Sequence, residues 1–108
     1  MKHTNLNNDL RGFTNLVRLC FSVEPNSGVC NLTLDLIKDG SEENIRAEFL
    51  GVANLHVEEF GGGVTQLLHL VIEDISDRQL DRINYQVREV ERDVLSFVCQ
   101  TAVITSVV

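Results

Sequence analysis

At 108 residues the chain has room for one domain, and 44% hydrophobic content with a single proline excludes disorder. The formal net charge is −7, from 16 acidic against 9 basic residues, and Arg78, Arg82, Arg88 and Arg92 are interleaved with Asp77, Asp81, Glu89 and Asp93. With no basic face, nucleic-acid phosphates are repelled, whereas a basic protein partner suits such a surface.

Cys20, Cys30 and Cys99 are odd in number and widely spaced, with no Cys-x-x-Cys pair, so reduced and mostly buried thiols are expected. The start, Met1-Lys2-His3-Thr4-Asn5-Leu6-Asn7-Asn8, lacks the apolar run of a signal peptide, and no segment nears the roughly 20 apolar residues of a membrane span. A cytoplasmic protein without a membrane anchor is the expectation.

Residues 1–11 are polar and asparagine-rich and read as a loosely held arm on a single domain of residues 1–108. Phe13, Asn15, Val17, Leu19, Phe21 and Val23 then alternate with more polar neighbours, a period of two that predicts a half-buried strand with its odd positions inward. Glu24-Pro25-Asn26-Ser27-Gly28 has the chemistry of a turn. A second strand puts Cys30, Leu32, Leu34 and Leu36 on one face, and Asp39-Gly40 signals a hairpin into a third, which carries Ile45, Ala47, Phe49, Ala53, Leu55 and Val57. That alternation is too long for one ordinary strand, so a bend or break is expected at Gly51.

Gly61-Gly62-Gly63 can reverse the chain without a Cβ penalty, so residues 53–57 and 67–72 read as a hairpin. No helix start, lysine or serine follows these glycines to make a phosphate-binding loop. After the apolar run to Ile75, Ser76 and Gln79 have capping-box spacing, with Ile75 and Leu80 as a hydrophobic staple and Asp74 bracing the entry, which predicts a helix of about two turns. A turn near Glu91-Arg92-Asp93 sets Tyr85 and Val87 opposite Cys99 and Phe97 in the last two strands. The expected fold is mainly β: an antiparallel sandwich or barrel of about six strands, with one short helix between strands four and five. A single curved sheet with the helix on one face is the alternative.

In the glycine hairpin, His56 stands opposite His69 with Glu58 two residues along the same face, so these three could converge as ligands of a first-row metal ion. A one-residue slip would separate them. No nucleophile elbow is present, Cys99 sits in a core-like alternation beside Phe97, and adjacent acids such as Glu58-Glu59 and Glu73-Asp74 point to opposite faces of a strand. No enzyme chemistry is called for and no cofactor. The final Ser106-Val107-Val108 is read as a plain terminal strand.

Phe60-Gly61-Gly62, Ile72-Glu73-Asp74-Ile75-Ser76, Gln79, Tyr85-Gln86-Val87, Glu89, Glu91 and Phe97-Val98-Cys99 form a string that resembles one in small bacterial β-rich proteins of unknown function, some immunity-protein-like and encoded beside secreted toxins. The resemblance covers about residues 52–99, chiefly turn, cap and core positions. Similar sequences often carry a tryptophan after the glutamine, where this chain has Leu80. The resemblance implies no catalytic residue. The leading expectation is a non-enzymatic protein-binding domain of toxin-neutralising type with a basic partner. A metal or small-ligand site at His56, His69 and Glu58 is the second, and a homodimer through sheet edges is the third.

Overall fold

Alternation of apolar and polar residues becomes strand almost wherever it occurs in this chain. The computed structural model describes residues 2–38, 40–58, 65–67 and 69–107. Helix α1 (Lys2–Leu10) precedes β1 (Phe13–Val23), β2 (Cys30–Lys38), β3 (Asn44–Leu50), β4 (Ala53–Val57), the two-residue β5 (Thr65–Gln66), β6 (Leu70–Asp74), β7 (Tyr85–Glu89), β8 (Leu95–Cys99) and β9 (Thr101–Val107). The strands form two antiparallel sheets, ordered β5-β1-β2-β3-β9 and β4-β8-β7-β6. Neither sheet closes into a barrel among the described residues, and the inner faces of both feed one core. This two-sheet arrangement has more strands among the described residues than the six expected, because the third and the last expected strands each break in two and the short β5 is added.

The first break is at Gly51, as its position in an overlong alternation predicts. There φ is +68°, a left-handed value that favours glycine, and a Cβ would come within 3.0 Å of the Gln100 Cβ. The second break is Gln100 itself, whose amide donates to the Leu50 carbonyl at 2.9 Å. The two bends lie side by side, so β3 and β9 pair in one sheet while their continuations β4 and β8 pair in the other. A strand that changes sheets must carry its neighbour with it or lose its backbone hydrogen bonds.

That corner overturns the expected glycine hairpin. β4 pairs with β8 and β6 with β7, so residues 53–57 and 67–72 are not partners. Closeness in sequence favours a hairpin, but the corner had already assigned β4 its neighbour. The glycines 61–63 lie outside the described residues.

Leu32, Leu34 and Leu36 of β2, Ile45, Ala47 and Phe49 of β3, and Val87, Leu95, Phe97 and Cys99 of the second sheet are buried, as their alternation predicts. Phe49 meets Phe97 across the core, centroids 4.9 Å apart and planes at 73°, an edge-to-face contact joining the sheets. Tyr85 faces Cys99 and Val87 faces Phe97, the register expected from the Glu91-Arg92-Asp93 turn. β1 departs from its simple pattern: register shifts between Phe13 and Asn15 and between Leu16 and Arg18 mark two irregularities. Phe13, Leu16 and Leu19 therefore pack on the core and Val17 is exposed, so the inward side is not the odd one throughout.

Two further expectations change. The helix anticipated between the fourth and fifth strands is a single 3-10 turn, Ser76–Arg78, ended by Gln79 at φ +57°. Asp74 does brace its entry, its Oδ1 accepting from the Ser76 amide (2.9 Å) and hydroxyl (2.6 Å), but Leu80 is exposed and staples nothing. The α-helix lies instead at the N-terminus, where a loose arm was expected. Leu10 is buried, Leu6 packs on the core, and Asn7 bonds the Ile72 backbone twice, donating to its carbonyl at 2.9 Å and accepting from its amide at 2.8 Å. With so few apolar residues, α1 has a weak sequence signal, and tertiary docking supplies what periodicity does not.

Candidate protein-binding surface

The structure brings His56 and Glu58 together and leaves His69 elsewhere. His56 Nε2 is 2.6 Å from Glu58 Oε2, with both side chains more than half exposed. His69 just precedes β6, at the opposite edge of the four-stranded sheet, and its Nδ1 is 3.9 Å from Glu91 Oε2. Strands β8 and β7 stand between, so three strand spacings, about 14 Å, separate the histidines. Among the described residues, no three His, Cys, Asp or Glu side chains gather closely enough to hold a metal ion. The hairpin register that motivated the expectation is absent, since β4 pairs with β8 and β6 with β7.

A buried carboxylate to which the sequence reading gave no role, though it stands in the resembling string, is Glu89, which sits at the inward end of the Tyr85, Val87, Glu89 alternation and is fully buried. Burial alone would raise its pKa. The amides of Arg92 (2.8 Å) and Glu91 (3.1 Å), with those of His69 (3.3 Å) and Val94, outweigh burial and hold it below the ordinary carboxylate range. Glu89 thus shapes the β7–β8 turn and ties it to the chain entering β6. A charge on the apolar face of a strand just before a turn was the signal in the sequence. Cys99 differs: burial pushes its thiol up to about 12, which removes it as a nucleophile.

The outer face of the five-stranded sheet carries a different kind of chemistry. Arg18, Asp35 and Arg46 lie side by side on β1, β2 and β3 because the register pairs Arg18 with Asp35 and Asp35 with Arg46. Arg46 Nε donates to Asp35 Oδ1 at 2.8 Å and Arg18 reaches Oδ2 at 3.3 Å. The Arg46 guanidinium above all, against burial and with help from Arg18, holds the Asp35 carboxyl below its usual range. With Glu48 next along β3, the charges on this face balance. The acids Glu24 and Glu42-Glu43 lie instead at its two ends, in the β1–β2 and β2–β3 turns. Val17 and Val103, 56% and 46% exposed, give the face apolar points of contact, and a recess of about 120 Å³ opens beside Val17, Asp35, Asn44 and Arg46. Self-compensated arginines, exposed aliphatics and acidic ends suit a protein partner better than a small substrate.

Larger recesses of about 370 Å³ and 210 Å³ lie beside the end of α1 and at the Gly51 corner, and none of the three is lined by His56, Glu58 or Cys99. A family model, Immunity protein PIM8, matches residues 8–105. The chain belongs to that family. The immunity protein PIM8 match takes in all nine strands but the tip of β9, so it spans both sheets and extends well beyond the resemblance carried by residues 52–99. No curated protein and no solved structure matches this immunity protein.

Proposed function

We propose that this immunity protein works without catalysis, by binding a basic toxin domain in a stoichiometric complex. The family match over residues 8–105 carries the proposal, since immunity is protection against a toxin. Two physical features support it. The chain has a net charge of −7, which draws a basic partner in and steers its approach. The five-stranded sheet also offers an outer face with exposed aliphatics and internally paired charges.

The test is co-expression with a candidate toxin from the same genome, followed by titration calorimetry of the purified pair. Growth arrest should be relieved, binding should saturate at one to one, and affinity should fall as salt rises. Protection without a detectable complex would sink the binding reading, and salt-independent affinity would remove its electrostatic part.

A further inference from the structure

Exposed apolar side chains are not spread evenly over the molecule. Among the described residues nine large hydrophobic side chains are exposed, and five of them, Phe21, Val23, Val29, Leu50 and Leu80, belong to three segments that meet at the Gly51 corner. The β1–β2 turn supplies the first: the Glu24 amide donates to the Val29 carbonyl at 2.8 Å, and Val23 pairs with Cys30. Leu50 ends β3 one residue before the corner, on the outer face of the five-stranded sheet. Leu80 stands in the loop after the 3-10 turn. Isolated exposed aliphatics are ordinary, whereas a concentration of them marks an interaction site.

These segments enclose the recess of about 210 Å³, which is lined by Val29, Ala53 and Ile83 with Asp81 and Arg82 beside them. That is smaller than the roughly 300–1,000 Å³ of small-molecule sites and suits one inserted side chain. One wall is built in advance. Gln79 and Arg82 hold φ at +57° and +58°, left-handed values that L side chains rarely adopt. At the base of their loop the Ile75 amide donates to the Asn84 carbonyl (2.8 Å), and Asn84 donates to the carbonyls of Cys99 and Gln100 (3.0 Å each). A partner that docks here has little backbone to order.

We propose that this recess takes one apolar side chain of the toxin, with basic toxin residues flanking that anchor, an inference that rests on the immunity function proposed above. Charge selects the occupant. Glu24 lies in the β1–β2 turn and Asp77 and Asp81 in the facing loop, while Arg78 is engaged by Glu73. A basic toxin meets these acids favourably, whereas a second copy of the chain would bring the same acids and another charge of −7.

The experiment is titration calorimetry of the full chain with the toxin domain against which it protects in co-expression. Ala53→Trp fills the recess and Leu80→Ser removes an apolar border. They should weaken binding by about 30-fold and about 10-fold, whereas Val90→Ser, at the other end of β7, should change it by less than about threefold. Thermal melts separate lost docking from lost fold, and Leu80→Ser, in an exposed loop, carries the test if Ala53→Trp does not fold. Glu24→Gln combined with Asp81→Asn should shrink the salt dependence of affinity, and an unchanged dependence overturns the basic flank. A complex that tolerates the recess variants overturns the proposal and spares the immunity reading. Absence of any complex with the wild-type chain overturns both. A dimer of the free chain that Ala53→Trp dissociates assigns the recess to a second copy and overturns the proposal.

Discussion

In the four-stranded sheet, edge strand β6 is closed by a side chain, Asn7, which satisfies both the amide and the carbonyl of Ile72. The other edge, β4, is five residues long and interrupted by a register shift at Asn54, whose φ is +57°. In the five-stranded sheet, by contrast, β1 runs for 11 residues, and among the described residues its strand neighbour on the outer side is the two-residue β5. The two sheets thus end differently: a side-chain clamp and a short irregular strand border one, whereas Phe21 and Val23 on β1 of the other stay 44% and 54% exposed.

The comparison can be broken first where the sheets meet. Phe49→Ala removes the edge-to-face contact with Phe97 and leaves a cavity under both sheets, so chemical denaturation should register a loss of about 3–5 kcal/mol. Glu89→Ala leaves buried amides of the four-stranded sheet without their acceptor and should cost roughly 3 kcal/mol by the same measurement.

The Glu89 carboxyl also carries a pH signature. Its folded pKa lies below the unfolded value of about 4.3, so its stabilisation is complete above that range and is lost as pH falls through the folded pKa. Asp35 has the same sign. Melting temperature should therefore drop on acidification below about pH 4, and Glu89→Gln should flatten part of that slope.

Smaller effects sharpen the comparison. Gly51→Ala forces a left-handed residue against Gln100 at the corner and should cost about 1–2 kcal/mol. Asn7→Ala opens the β6 edge, which should cost about 1–2 kcal/mol and speed exchange of the Ile72 amide while leaving β1 unchanged. Smallest of all, Val23→Thr at the end of β1 should move the stability of the free protein by less than about 0.5 kcal/mol, because that side chain is already more than half in water.

Much of this fold was legible in local patterns. The alternations of β2 and β3, the bend at Gly51, the Tyr85–Cys99 register and the Asp74 brace all depend on neighbours within a few residues or across one turn. The candidate binding surface was only half legible. Asp39-Gly40 announced the β2–β3 hairpin, which places Asp35 and Arg46 on one face of adjacent strands, and their pairing could have been read from it. Phe21 and Val23 gave no such signal, because apolar residues in a strand look the same whether or not a second sheet covers them.

The sequence by itself determined the β-rich class, the inward faces of the central strands and the acidic character of the chain. Tertiary structure alone decided which strands became neighbours and where α1 docked. Alternation fixes a strand and its faces through contacts of a few residues, but strand order depends on a corner that joins Leu50 to Gln100, and no local period records such a contact.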